Sequence, residues 1–243
     1  LRPDDVRILL TRPVPESERT AQHLAALGHT SLIAPMLNIE AVADAAIGPG
    51  PWGAVLMTSG NAARALAVHP RRADLLALRC FAVGAQTAKA ARETGFAEVV
   101  SADGDGGDLA RRVQDDVQAS DAPLLYLAGN DLARDLAGEL RRQGLRVETV
   151  VVYRAVAAQS LPHDVMQALG AGRIDAVLHY SRRSAAIFLD CARASGVLPA
   201  VLTLAHCCLS ERASEPVRAA GAASVHVASR PDEPALLDLL AGM

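Results

Sequence analysis

The chain is poor in aromatic residues, which make up 3% of its 243 positions: one Trp, three Tyr and three Phe. Without rings to fill it, an interior has to be packed from Ala, Val and Leu, the palette of parallel sheets covered by helices. Cysteine is also scarce. Cys80, Cys191, Cys207 and Cys208 have neither metal-site spacing nor a disulfide pattern, and they read as thiols of a reducing compartment. Lys and Arg (24) do not outnumber Asp and Glu (27), and the formal net charge is −3. That balance argues against nucleic acid or an anionic membrane as the partner. No apolar run reaches the length of a membrane span. The opening Leu1-Arg2-Pro3-Asp4-Asp5 lacks the apolar stretch of a signal peptide, and with no Met it reads as starting after the native start. A cytoplasmic protein, monomeric and binding neither nucleic acid nor membrane, is expected.

Several catalytic signatures are missing as well. No G-x-G-x-x-G follows a strand, so the dinucleotide fingerprint is absent. The loop Gly104-Asp105-Gly106-Gly107 has no Lys-Ser/Thr after it and reads as a flexible turn, not a phosphate loop. Ser59 does not sit in G-x-S-x-G, so a nucleophile elbow is unsupported. His206-Cys207-Cys208 invites a metal reading, but neighbours on a strand point to opposite faces and no second ligand pair exists. Buried structural cysteine is the better reading there.

What the sequence does contain is a repeat. Gly53-Ala54-Val55-Leu56-Met57-Thr58-Ser59-Gly60-Asn61-Ala62-Ala63 is echoed by Asp175-Ala176-Val177-Leu178-His179-Tyr180-Ser181-Arg182-Arg183-Ser184-Ala185. Further on, Gly95-Phe96-Ala97-Glu98-Val99-Val100-Ser101-Ala102 is echoed by Gly221-Ala222-Ala223-Ser224-Val225-His226-Val227-Ala228. The offset moves only from 122 to 126 residues, so whole strand–helix–strand blocks recur. Two such halves predict two α/β lobes with a ligand cleft between them. In the repeat His179 parallels Met57, which predicts a half-buried strand position rather than a catalytic base.

Short aliphatic runs alternate with helical segments along the chain, as in parallel α/β proteins. Strands are expected at 6–10, 32–35, 37–42, 54–57, 81–83, 98–101 and 124–127, with the longest β-like run from Val147 to Val156. Helices are expected to stop at Gly28, Gly95 and Gly144. Asp108 is expected to cap the helix after the glycine-rich loop, and Leu132, Leu136 and Leu140 to form one apolar helical stripe. In such sheets ligands bind beyond the carboxyl ends of strands. Small polar residues collect there: Thr11-Arg12, Thr58-Ser59 with Asn61, Gly84 with Thr87, Gly129-Asn130, Ser181-Arg182-Arg183 and Ser210. Each hydroxyl or amide alone is better read as a helix cap. Together, six such turns suit an anionic ligand, because they present N–H groups and positive dipole ends. Tyr153, on the long β run, is the phenol that could face such a ligand or pack in the core.

These residues together resemble the uroporphyrinogen-III synthase family over essentially the whole chain. The shared features are Thr11-Arg12-Pro13, Thr58-Ser59-Gly60-Asn61-Ala62, Val83-Gly84-Ala85-Gln86-Thr87-Ala88, and Gly129-Asn130 followed by a helix, Gly144 and Val152-Tyr153. The second copy departs from the family pattern: Tyr180-Ser181-Arg182 stands for Thr-Ser-Pro, and Ser210-Glu211-Arg212-Ala213 for Gly-Pro-x-Thr. The resemblance implies two flavodoxin-like lobes, each a parallel five-stranded sheet flanked by helices. Residues 1–36 and 158–243 would form the first and 44–150 the second, with a two-stranded link at 37–43 and 151–157. It implies a lyase that cyclises hydroxymethylbilane, a linear tetrapyrrole, to uroporphyrinogen III with loss of water and inversion of ring D, and that needs no cofactor or metal. Tyr153 would be the general acid, and the polar turns, with Arg12, Arg182 and Arg183, would hold carboxylates. The competing expectation is a non-catalytic two-lobed protein that binds a tetrapyrrole or another small molecule.

Overall fold

The computed structural model describes residues 7–118, 122–132 and 134–242; Val6, expected to begin the first strand, and the opening residues 1–5 lie outside the described residues. The chain begins β1 (Arg7–Leu10), α1 (Val14–Ala26), β2 (Thr30–Ile33) and β3 (Leu37–Ala41). It continues β4 (Ala54–Met57), α2 (Gly60–Ala67), α3 (Arg72–Leu75), β5 (Arg79–Ala82), α4 (Ala85–Thr94) and β6 (Val99–Ser101). Next come α5 (Gly106–Asp116), β7 (Leu124–Gly129), α6 (Leu136–Arg142), β8 (Val147–Ala157) and α7 (His163–Gly170). It closes with β9 (Ala176–His179), α8 (Arg182–Ala194), α9 (Leu198–Leu202), β10 (Ala205–Cys208), α10 (Glu211–Ala219), β11 (Ser224–Val227) and α11 (Glu233–Asp238). Two compact units result. Unit 1 comprises Leu1–Asn38 with Val156–Met243, and unit 2 comprises Ile39–Ala155.

Unit 1 holds a five-stranded sheet in the order β11-β10-β9-β1-β2, with every adjacent pair parallel. Numbered within the unit this is 2-1-3-4-5, the flavodoxin order. Unit 2 holds six strands in the order β3-β8-β7-β4-β5-β6. Its parallel part reads 3-2-1-4-5, the other common doubly wound order. The expectation of a matching five-stranded parallel sheet in each half is therefore corrected for unit 2. Its sixth strand, β3, runs antiparallel to β8: Val42 N–H donates to Val152 O, and Ala158 N–H to Met36 O. The reason is length. β8 has 11 residues and β7 has 6, so the far part of β8 would expose unpaired backbone groups unless another strand covered it.

The differing strand orders have one origin. The repeated block, β4-β5-β6 or β9-β10-β11, forms three adjacent parallel strands in each sheet. Beside its first strand lies β7 in unit 2 and β1 in unit 1, followed outward by β8 and β2. In unit 2 that flanking pair follows the block in sequence, and in unit 1 it precedes it. The two sheets are thus circular permutations of one arrangement. Register then makes Leu124, Leu125 and Tyr126 the counterparts of Ile8, Leu9 and Leu10.

Strand periodicity builds the cores. Ala54 and Leu56 of β4 pack into one cluster, and Val55 and Met57 into the cluster on the opposite face, as a period of two requires. β1 behaves alike: Ile8 and Leu10 go one way and Leu9 the other. Central strands buried on both faces explain the continuous aliphatic runs. His179 of β9 is completely buried, not half-buried as its alignment with Met57 predicted.

Helix ends follow local chemistry. Gly95 closes α4 at φ 111°, in the left-handed region where a side chain would be strained. At α5 the cap is Asp105, not Asp108. Asp105 accepts from the N–H groups of Gly107 and Asp108, while the Asp108 carboxylate accepts from Asp105 N–H, completing a capping box. Gly106 and Gly107 therefore open the helix instead of forming a flexible turn. The expected apolar stripe through Leu132 is also corrected. Asp135 caps α6 through Gly138 N–H, so the helix starts at Leu136 and Leu132 stays outside it, exposed.

Candidate functional site

In unit 2 the loops at the carboxyl edge enclose a pocket of about 250 Å³. Thr58, Ser59, Gly129 and Tyr153, all expected at the site, line it together with Tyr126 and Arg134. Neither Tyr126 nor Arg134 was expected there from the sequence. Tyr153 is half-buried on β8, opposite Gly129. A methyl on Gly129 would come within 2.5 Å of the Tyr153 ring, so this glycine seats the phenol. Asn130 fixes it from the main chain, donating its N–H to Tyr153 O at 3.0 Å. The Gly129-Asn130 turn thus serves Tyr153.

Tyr126 is buried in β7, and its hydroxyl lies 2.8 Å from Thr58 Oγ1. Burial raises the Tyr126 pKa, partly offset by the Thr58 hydrogen bond, so the phenol stays protonated. Arg134 makes two bonds to the Glu139 carboxylate, at 2.8 and 2.9 Å, and lies over Gly106 and Gly107 at the start of α5. These two glycines make room for a guanidinium. Asn61 and Gly84 do not line the pocket, and Thr87 is buried in the first turn of α4.

In unit 1 a larger groove of about 990 Å³ is lined by Ser181, Arg182, Arg183 and Ser210, as expected, and by Tyr180 and Arg212. The starts of α8 and α10 meet there. The serines are helix caps: Ser181 Oγ accepts from Ser184 N–H and Ser210 Oγ from Ala213 N–H. Ser59 does the same for Asn61 N–H at α2. Arg182 is paired at the surface with Glu215 at 2.7 Å. Thr11 is withdrawn from ligand reach; it is fully buried and its hydroxyl donates to Leu178 O at 2.8 Å. Arg12 also lies outside the groove lining, with its guanidinium 4.1 Å above the Tyr180 ring and facing Glu233 at 3.6 Å.

His179 and His206 form a buried stacked pair. His206 Nε2 lies 3.0 Å from Val201 O, so it must carry the proton and donate. Its Nδ1 then accepts from His179 Nε2–H at 2.9 Å. Burial first, and the neighbouring imidazole second, push the His179 pKa down to about 3. A neutral, enclosed imidazole has no path to a substrate. Among the described residues no group of three or more His, Cys, Asp or Glu could hold a metal, and no helix is long and apolar enough to cross a membrane.

Two doubly wound α/β units, with a phenol-lined pocket in one and an arginine-lined groove in the other, define an α/β protein with cavities at strand carboxyl ends, where sheets of this kind bind their ligands. A family model described as uroporphyrinogen-III synthase HemD matches residues 18–238, and the chain belongs to that family. The fold agrees. The crystal structure of uroporphyrinogen-III synthetase from Helicobacter pylori 26695 superposes with TM-score 0.64 at 16% identity, covering 98% of this chain and 99% of that one. A mutant uroporphyrinogen III synthase from the extremely thermophilic bacterium Thermus thermophilus is 20% identical over 98% of each chain, with TM-score 0.49. No curated protein sequence matches the chain significantly. The family implies an enzyme of haem biosynthesis that acts on a tetrapyrrole.

Proposed function

We propose that the chain is a lyase that closes hydroxymethylbilane to uroporphyrinogen III. The terminal hydroxymethyl loses its oxygen as water. The electrophilic methylene is then captured by the substituted carbon of the last ring, giving a spiro intermediate. That carbon's original bond to its bridging methylene breaks, and the freed methylene rejoins the ring at its unsubstituted carbon, which loses a proton, so the ring is inverted. The substrate closes spontaneously without inversion, so the protein's task is positioning and exclusion of the competing closure. A proton has to reach the departing hydroxyl. In unit 2 the Tyr153 phenol, seated on Gly129 in a partly enclosed pocket, is the donor. A phenol is a weak acid at neutral pH, so it assists departure while binding supplies most of the effect.

The carboxylates of the substrate call for cations and N–H donors. The unit 1 groove offers Arg182, Arg183 and Arg212 beside the starts of two helices, a setting favourable to carboxylates. The observation that carries the reading is the convergence of Tyr153, Thr58, Ser59 and Gly129 on one pocket in a chain of this family. The test is incubation of purified protein with freshly generated hydroxymethylbilane, followed by oxidation and separation of the isomers. The type III isomer is expected to predominate. Type I alone would overturn the proposal and leave a non-catalytic binding protein as the reading.

A further inference from the structure

We propose that Tyr126 is a positioning residue for substrate binding: its phenol donates to Thr58 Oγ1, so that the Thr58 hydroxyl proton points to a substrate oxygen. The inference rests on the function proposed above and adds to it a residue, and a role, that no motif of the sequence marks. The two oxygens lie 2.8 Å apart, and both residues line the pocket that holds Tyr153. Either oxygen could donate, but a phenol is far more acidic than an aliphatic alcohol, so the favoured arrangement is Tyr126 O–H to Thr58 Oγ1. The Thr58 proton is then left for an acceptor in the pocket, and donation from Tyr126 polarises it.

Packing does not account for the hydroxyl. The counterpart of Tyr126 in unit 1 is Leu10, at the same place in the permuted sheet and also fully buried. An aliphatic side chain therefore satisfies this position in the same sheet arrangement. Placing a phenolic oxygen there requires a polar partner, because an unpaired buried hydroxyl is costly, and Thr58 is that partner. The counterpart of Thr58 is Tyr180, so unit 1 lacks the pair at both positions.

A neutral hydroxyl that grips a substrate oxygen binds ground and transition states alike, which appears in KM and not in kcat. Tyr126→Phe keeps the buried ring and deletes only the oxygen. It is expected to raise KM about five- to tenfold with kcat within about twofold, the loss of one modest hydrogen bond. Thr58→Val should match it, Thr58→Ser should restore the wild-type KM, and the Tyr126→Phe/Thr58→Val double variant should be no worse than either single. A wild-type KM in Tyr126→Phe, effects that multiply in the double variant, or no restoration by Ser would each overturn the inference. If Tyr126→Phe fails to fold, a wild-type KM in Thr58→Val still overturns the inference. A wild-type protein that yields only the type I isomer would instead overturn the function itself.

Discussion

His179 has a titration behaviour that its chemistry alone does not set. Its pKa falls from the ordinary 6.5 to about 3 because burial excludes the imidazolium, and His206, which is also lowered, sits against it. The unfolded chain takes up a proton near pH 6.5 and the folded chain does not. Stability is therefore unaffected above that pH and falls as pH drops through the window from 6.5 toward 3. For this one group the loss is about 1.4 kcal/mol per pH unit, or roughly 2 kcal/mol by about pH 5. Replacing His179 with Met, the residue at the matching position of β4, should lower stability at neutral pH, since His206 Nδ1 loses its donor. It should also flatten the slope against pH, leaving the contribution of His206, whose pKa burial also lowers. Urea titrations between pH 5 and 7 would show this, and an unchanged slope would refute it. Single residues were legible where their role is local: Ser59, Ser181 and Ser210 cap the helices they precede. They were not legible where the partner is remote in sequence. Thr11 looks like a ligand-facing turn residue until β9 packs beside it and offers Leu178 O. Tyr126 looks like one more apolar strand residue until the β4–β7 register brings Thr58 to its hydroxyl.

Among the elements, β8 and the end of β7 decide what the unit 2 pocket can do. The β7–β8 ladder is regular from Leu124 to Ala128 and shifts before Gly129, which faces Tyr153. That irregularity, with the Tyr153 ring against a glycine, fixes where the phenol lies. Gly129→Ala would drive a methyl to 2.5 Å from Cζ and 2.7 Å from the hydroxyl oxygen of Tyr153. The ring has to move, because real contacts of a Cβ do not come that close. We expect a folded variant whose kcat falls by about tenfold, comparable with Tyr153→Phe, since each removes an assisting acid from its working position. Steady-state kinetics on both variants, with far-ultraviolet circular dichroism as the folding control, provides the comparison. A wild-type kcat in Gly129→Ala would separate the turn from the chemistry. Element boundaries followed the sequence closely where glycine or a β-rich run marks them, as at Gly95 and over 147–157. They departed from it at α5 and α6. At α5 two aspartates stand near the cap position, and at both helices the start is set by the carboxylate that reaches the N–H groups of the first turn, Asp105 and Asp135.

On the scale of the whole molecule, the repeat was readable and its permutation was not. Similar blocks at a fixed offset announce two related sheets. The flanking pair, β1-β2 or β7-β8, shares too little sequence to show that it changed sides of the block, and only the registers show it. One consequence concerns independence. Unit 1 is assembled from two distant stretches of chain, whereas unit 2 is continuous from Ile39 to Ala155. Its two apolar clusters draw only on residues of that stretch, from Val42 to Tyr153. A segment with its own doubly wound sheet and a core on each face meets the conditions for folding alone. The segment 37–157, which keeps both β3 and β8 at full length, should therefore express as a soluble domain and unfold in one cooperative urea transition. Its slope against urea should be smaller than expected for the full chain, in proportion to the smaller surface exposed. Unit 1 offers no such test by simple truncation, because removing β1 and β2 would leave β9 as an open edge. A featureless, non-cooperative urea titration of 37–157 would mean that unit 2 depends on unit 1 for its stability, despite having a core composed only of its own residues.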